Sequence, residues 1–419
     1  MALTRRKLIN VAGGAAFAAP FIARMNLARA AGRIAVVGGG FGGATAARFL
    51  AEAGHALTLV ERESEFVTCP FSNTVIGGFG KMEDISFGYD GLRAAGVTVV
   101  KGEAVGVEDG KLTLSSGDVI DYDRLVLSPG VDMRYDALPG YDLDAAEIMP
   151  HAWKAGLQTK LLRAQLEAMD DGGVVAIVVP DNPFRCPPGP YERASLIAHF
   201  LQQHKPRSKV MILDSKDVFS KRPLFEEAWA ALYPDLIEWV PMSMGGRVIS
   251  VNAQDKSLET DFATIDADVA NVIPPQKAGA IAVAAGVADE TGWCPVMPET
   301  FESQLVPGIH VLGDACLAGA MPKSAFSANA QGKVVAAAID RILRGEEPQS
   351  PKLINTCYSL AAPDYGFTVA GVYQAEGGAL VEVADSGGIS PLEATLEVRS
   401  AEADYARVWY QTITRETFG

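Results

Sequence analysis

Gly32-Arg33-Ile34-Ala35-Val36-Val37-Gly38-Gly39-Gly40-Phe41-Gly42-Gly43-Ala44-Thr45-Ala46-Ala47-Arg48-Phe49-Leu50 is the stretch that decides the fold. A short β-branched run enters a G-x-G-x-x-G turn, and an alanine-rich segment of helical character leaves it. Gly38 permits the tight turn, Gly40 lets a pyrophosphate approach the backbone, and Gly43 lets the helix pack closely on the strand. The first N–H groups of the helix then face the phosphates. Ala56-Leu57-Thr58-Leu59-Val60 reads as a second strand. It ends at Glu61, 18 residues after Gly43, where a carboxylate takes the ribose hydroxyls of an adenosine. The alternative is a glycine-rich turn with no ligand. Strand, loop, helix, strand and acid in register argue against it.

Two later segments select a flavin dinucleotide. Arg124-Leu125-Val126-Leu127-Ser128-Pro129-Gly130 resembles the strand and turn that close the first half of FAD domains. Ile309-His310-Val311-Leu312-Gly313-Asp314-Ala315 resembles their late Gly-Asp motif, in which the carboxylate of Asp314, after Gly313, binds the ribityl chain. The helix expected from about Lys323 to Ala328 points its positive end at the flavin ring. These motifs span Gly38 to Asp314, so the FAD domain is expected as two pieces, 31–137 and 280–347, around an insert at 138–279.

The insert repeats the pattern with Val174-Val175-Ala176-Ile177-Val178-Val179 as its leading strand. Pro180-Asp181-Asn182-Pro183-Phe184-Arg185-Cys186-Pro187-Pro188-Gly189-Pro190 follows, with one glycine where three are expected. Its prolines remove the N–H donors that would cradle a pyrophosphate. A helix resumes at Tyr191, and Lys209-Val210-Met211-Ile212-Leu213-Asp214 is the next strand. The insert therefore reads as an NAD-binding-like domain without a phosphate loop, and electrons must enter from something smaller than NADH. From about Pro351 the chain reads as alternating strands, such as Gly366 to Tyr373 and Ala379 to Ala384, giving a C-terminal capping and interface domain at 348–419. At 419 residues the chain is too long for one core. The fold class expected is α/β, with two Rossmann-like dinucleotide-binding domains and a C-terminal α+β domain.

Thr4-Arg5-Arg6-Lys7-Leu8-Ile9, the Ala/Gly-rich run Val11 to Ala23 and Ala28-Arg29-Ala30 together read as a twin-arginine (Tat) export signal over 1–30. A chance basic N-terminus is the alternative. Export by this route suits a protein that folds around its cofactor first, and it places the mature chain in the periplasm. The apolar run is too short for an ordinary membrane helix, and no later stretch is long enough, so no integral membrane segment is expected after cleavage. Five of the 36 basic residues lie in the signal, which leaves 31 against 51 acids, a net charge of −20. That argues against nucleic acid and anionic membrane surfaces as partners and is compatible with a basic protein partner.

The five cysteines are Cys69, Cys186, Cys294, Cys316 and Cys357. No C-x-x-C-H occurs, so no haem is expected in this chain, and no cysteine and histidine cluster has metal-ligand spacing. Thr68-Cys69-Pro70-Phe71-Ser72-Asn73-Thr74-Val75-Ile76-Gly77-Gly78 resembles the flavin-attachment segment of the flavoprotein subunit of flavocytochrome c sulfide dehydrogenase, with Pro70-Phe71 departing from the usual pattern. Arg185-Cys186-Pro187-Pro188-Gly189-Pro190-Tyr191-Glu192-Arg193-Ala194-Ser195 resembles the segment bearing one redox cysteine and a glutamate. Thr356-Cys357-Tyr358-Ser359 resembles the segment bearing the other. Trp293-Cys294-Pro295-Val296, Val272 to Gln276 and the end from Trp409 to Gly419 extend the resemblance over nearly the whole mature chain.

The resemblance implies FAD attached covalently through Cys69. It implies a Cys186–Cys357 pair that oxidises hydrosulfide, Glu192 managing protons, and a separate c-type cytochrome subunit as acceptor. Read from the residues alone, alternatives stay open. Cys69 and Cys357 also fit buried small hydrophobes, and Glu192 also fits a solvated first-turn glutamate. Trp409 fits core packing, and Cys294 and Cys316 fit structural roles. The rival functions are a sulfide:quinone oxidoreductase, for which the C-terminus makes a poor membrane helix, and a flavin-bound accessory subunit of a sulfur-oxidation complex without turnover. An NAD(P)H-linked disulfide reductase lacks its second glycine loop and close cysteine pair.

Overall fold

The computed structural model describes residues 32–419. The export signal read at 1–30 lies outside the described residues. Strand β1 (Arg33–Val37) enters the glycine turn, α1 (Phe41–Glu52) leaves it, and β2 (Ala56–Glu61) returns parallel to β1. Gly38 has φ 95°, and a Cβ there would stand 2.2 Å from the Ser128 carbonyl oxygen, so both conformation and space require glycine. A Cβ at Gly43 would stand 2.0 Å from the Gly38 carbonyl oxygen, which fixes how closely α1 approaches β1.

The chain continues through α2 (Ser72–Ile76), β3 (Thr98–Lys101) and β4 (Arg124–Leu127). The insert follows with β5 (Val174–Val179), α3 (Gly189–His204), β6 (Lys209–Asp214), α4 (Arg222–Leu232), β7 (Ile237–Val240) and β8 (Val269–Val272). Strand β9 (Ile309–Val311) then rejoins the first sheet, whose order is β9-β4-β1-β2-β3, all parallel. The insert's sheet runs β7-β6-β5-β8, also all parallel. Near-continuous apolar strands such as β1 and β5 suit this, because a parallel sheet is covered on both faces. Helix α3 starts at Gly189, two residues ahead of Tyr191, with Pro190 in its first turn, where a missing N–H leaves no bond unmade. Helix α5 (Ala325–Leu343) is capped by Ser324, whose Oγ accepts from the Ser327 N–H at 3.0 Å.

Beyond it, β10 (Lys352–Ala362), β11 (Tyr365–Glu376) and β12 (Ala379–Glu382) form an antiparallel sheet. A two-residue strand at Gly388–Ile389 pairs antiparallel with β11, and the strand pattern then stops. Leu396–Phe418 is a 23-residue helix, α6, entered through Thr395, whose Oγ accepts from the Val398 N–H. It lays Ala403, Ala406, Tyr410, Ile413 and Thr417 inward at helical spacing and packs on β11 and α1. Among the described residues no helix is long and apolar enough to cross a membrane.

Candidate active site

At the mouth of the first sheet, Glu61 Oε2 accepts the Gly39 N–H at 2.6 Å, which fixes the carboxylate beside the glycine turn. Asp314 follows β9 on a single 3-10 turn after Gly313. Burial raises its carboxyl, against the opposing influence of Arg185 and Lys323. Its Oδ2 lies 3.7 Å from Arg185 Nη1, and its buried Oδ1 has no hydrogen-bond partner. A buried carboxylate oxygen without a donor is costly, and a ribityl hydroxyl is the donor it suits. Tyr89, which the sequence reading missed, packs its ring against Gly39 with its buried hydroxyl equally unpartnered. Lys323 Nζ donates to the carbonyls of Asp314 and Cys316 at 2.9 and 2.7 Å and lies over the Trp293 ring. The residues present fit a flavin dinucleotide.

One cavity is lined by Cys69, Cys186 and Cys357 together. Cys69 comes from the turn before α2, Cys186 from the proline-rich loop before α3, and Cys357 from the middle of β10. All three are free thiols. Cys69 Sγ lies 3.4 Å from the Trp153 carbonyl oxygen. Cys186 is left-handed at φ 56°, with its N–H on the Lys323 carbonyl at 2.9 Å, so the loop is tied to the start of α5. Burial pushes the Cys186 thiol well up; Cys357, Glu192 and Cys69 push the same way, and Lys221 opposes them. Trp409 lines this cavity, near-parallel to Phe326 and tilted on Tyr358, and also packs against the core.

Glu192 is not a solvated first-turn glutamate. Its Oε1 accepts the Leu360 N–H at 2.9 Å and its Oε2 accepts Asn73 Nδ2 at 2.8 Å. Burial raises its carboxyl despite those donors. Arg193, beside it, is 2% exposed and donates to Asn73 Oδ1, to Asn271 Oδ1 and to the carbonyls of His151 and Ala152. Burial pushes this guanidinium down to about 10. Burial likewise holds His151 neutral, at about 3. Through Glu192 and Arg193 the helix of the insert is bonded both to the Cys69 segment and to β10. Asn73 and Arg193 lay within the quoted segments, but nothing in their spacing marked them; Lys221 carried no signal at all. Cys294 and Cys316 stand apart as register partners on adjacent short strands, their thiols pushed up to about 12 by burial.

The acid of the insert that corresponds to a ribose-binding carboxylate is fully buried and bonded to the insert's own side chains. Asp214, at the end of β6 where a ribose-binding acid would stand, accepts from Tyr191 Oη at 2.6 Å, Trp239 Nε1 at 3.0 Å and Lys216 Nζ at 2.7 Å. Tyr191 in turn stacks on Phe219 with ring centroids 3.6 Å apart.

Three family models match in succession. A pyridine nucleotide-disulphide oxidoreductase model covers residues 32–175. The central domain of the sulfide dehydrogenase [flavocytochrome c] flavoprotein chain covers 159–274. The flavin-binding domain of flavocytochrome c sulphide dehydrogenase covers 349–418. The sulfide dehydrogenase [flavocytochrome c] flavoprotein chain of Chlorobaculum thiosulfatiphilum is 56% identical over 45 residues, which are 10% of this chain and 94% of that sequence. Among solved structures, the sulfide:quinone oxidoreductase of Aquifex aeolicus has the same fold, with TM-score 0.73, 17% identity and 92% of each chain covered. The covalent putidaredoxin reductase–putidaredoxin complex matches with TM-score 0.64 and 16% identity over 89% of this chain and 93% of that one. Matched by this family's models over its centre and its C-terminal region, and 56% identical to a member over 94% of that member's sequence, this chain belongs to the family of the flavocytochrome c sulfide dehydrogenase flavoprotein chain.

Proposed function

We propose that this chain is the flavoprotein subunit of a periplasmic sulfide dehydrogenase, oxidising hydrosulfide to sulfur or polysulfide and passing the electrons to a c-type cytochrome subunit. The observation that carries the reading is the convergence of Cys69, Cys186 and Cys357 on one cavity from three separate parts of the chain. FAD, covalently held through Cys69, supplies the two-electron acceptor. The chain's own part begins with an oxidised Cys186–Cys357 pair that takes the attack of hydrosulfide, giving a persulfide on one sulfur and a thiolate on the other. Glu192, which lines the same cavity, takes up or returns a proton when the persulfide later ionises. Arg185 and Arg193 line the same cavity and make it attractive to a small anion. The buried, fully bonded Asp214 supports entry through sulfur instead of a pyridine nucleotide.

Two measurements test this. Anaerobic hydrosulfide should bleach the flavin while NADH leaves it oxidised; the reverse would end the proposal. Denaturation should leave yellow flavin on the wild-type chain and strip it from Cys69→Ala, and flavin lost equally from both would refute the covalent link. A quinone acceptor is the second reading. The observation on its side is a further cavity, across the stacked Phe71 and Tyr410 rings, lined by Phe79, Phe87 and Phe418. Turnover with a soluble quinone but not with cytochrome c would select it.

A further inference from the structure

Lys221 stands immediately before α4, at the end of the segment that follows β6. It lies behind Cys357 and outside the ring of residues that lines the cavity. It is 5% exposed. Its Nζ donates to the Cys357 carbonyl oxygen at 2.8 Å and to Ser359 Oγ at 2.7 Å, and stands 3.7 Å from Cys357 Sγ. The two closer acceptors are neutral and do not change with the redox state of the thiol. The charge is therefore fixed in place before any chemistry occurs, as preorganised stabilisation requires. Among the described residues no carboxylate lies within ion-pair distance of this ammonium; the Glu192 carboxyl feels its charge from beyond that distance, and the Phe367 ring centroid lies 5.6 Å from it. The backbone at Lys221 is left-handed, φ 63° and ψ 23°, a conformation in which glycine is the easy choice. A lysine held there against strain marks a side chain whose position matters.

We propose that Lys221 is a positioning residue that makes Cys357, and not Cys186, the sulfur released as thiolate when hydrosulfide attacks the pair. This rests on the sulfide reading above. In thiol–disulfide exchange the better-stabilised thiolate leaves. Cys357 has the ammonium beside it. Cys186 also feels Lys221, but burial, Glu192 and Cys69 all disfavour a negative charge there, and the Tyr373 hydroxyl is a further neighbour of Cys357. Attack therefore falls on Cys186 Sγ. A bond forms between the substrate sulfur and Cys186 Sγ, the Cys186–Cys357 bond breaks, and its electron pair goes to Cys357 Sγ. The proton of hydrosulfide stays on the terminal persulfide sulfur, and the substrate sulfur takes over the oxidation level that Cys357 loses. The Cys357 thiolate would then hold the electron pair for a bound FAD, which would supply the oxidant.

The test needs no turnover. In reduced holoprotein carrying Cys186→Ser, alkylation of Cys357 by iodoacetamide is followed by peptide mass across a pH series. Lys221→Met should slow it about tenfold near neutrality and displace the profile upward by about one pH unit, the scale of one close opposite charge. Lys221→Arg should stay near the parent. Lys221→Gly accepts the left-handed backbone without strain, so it separates charge from folding, and it should match the methionine variant. Unchanged profiles in both neutral variants would overturn the proposal. So would a persulfide found on the Cys357 peptide instead of the Cys186 peptide after one equivalent of hydrosulfide. Flavin bleaching in the enzyme with both cysteines reports separately: if hydrosulfide bleaches while the alkylation profiles coincide, only the role of Lys221 fails, and if hydrosulfide never bleaches, the sulfide reading fails.

Discussion

Glu192→Gln isolates the carboxylate that bonds the insert to the rest of the site. Two donors converge on it, the Leu360 N–H at 2.9 Å and Asn73 Nδ2 at 2.8 Å. Asn73 cannot turn its amide to accommodate a glutamine, because its Oδ1 already accepts Arg193 Nε at 3.0 Å. Glutamine would set its own NH2 against one of these donors, leaving a buried group unpaired at a cost of about 1–3 kcal/mol. The charge acts in the other direction. Burial raises the Glu192 carboxyl in the folded state, so the folded protein holds that proton to higher pH than the unfolded chain does. The stability this brings is fully present below the unfolded carboxyl value and is lost as pH rises through the folded one, at about 1.4 kcal/mol per pH unit between them. Glutamine has no such slope. The wild type should therefore lead clearly in acid, and its lead should shrink as pH rises. Urea midpoints for both holoproteins, measured from about pH 4, near the unfolded carboxyl value, upward to about pH 8, read this directly. A gap that stays constant or widens with pH would refute the reasoning, because it would mean that the buried carboxylate is not strained by its charge.

Lys216→Met should lower stability by about 3–5 kcal/mol, because it strands the fully buried Asp214 carboxylate without its cation; a thermal melt shifted by less than a degree or two would contradict this. Gly43→Ala in a Cys69→Ala background should give protein that purifies without its yellow colour, since the added methyl would meet the Gly38 carbonyl oxygen at 2.0 Å, and undiminished flavin content would argue against the close approach. Asp314→Leu should weaken flavin retention in a Cys69→Ala background, where no covalent bond can mask the loss; unchanged flavin content after gel filtration would remove Asp314 from the cradle.

Local chemistry made part of this molecule legible. The glycine turn, Glu61 and the Gly313-Asp314 step each depend on a few adjacent residues whose sterics are fixed by the turn they make. The cysteine cavity was not legible in that way. Cys186 and Cys357 are 171 positions apart, and no spacing or periodicity links them; only the resemblance of their flanking segments suggested a shared site. Helix α6 escaped because its buried face is not simply apolar. Arg399 is fully buried on it, paired with Glu227 at 2.7 Å and with Glu402, and Thr414 and Thr417 face inward as well. A hydrophobic period cannot appear where the inward positions are charged or hydroxylated and satisfied by partners on other elements. Lys221 was invisible for the same reason, since its acceptors lie on β10, 136 and 138 residues along the chain.

The insert keeps the architecture of a nucleotide-binding domain while Tyr191, Trp239 and Lys216 occupy its Asp214 carboxylate. What it still supplies comes from the same edge of the sheet. Cys186 and Glu192 follow β5, Lys221 follows β6, and the two strands are hydrogen-bonded neighbours in parallel register. In an open parallel sheet the loops past the C-terminal strand ends converge on one place, which is where such folds put their ligands. A domain that brings a nicotinamide to a flavin and a domain that brings a thiol to a flavin therefore need the same strand order and differ only in the loop. Replacing a glycine cradle by Arg185-Cys186-Pro187-Pro188 removes the phosphate donors and leaves a sulfur at the strand tip. The loop after the adjacent strand brings Lys221 Nζ to 3.7 Å from the Sγ of Cys357.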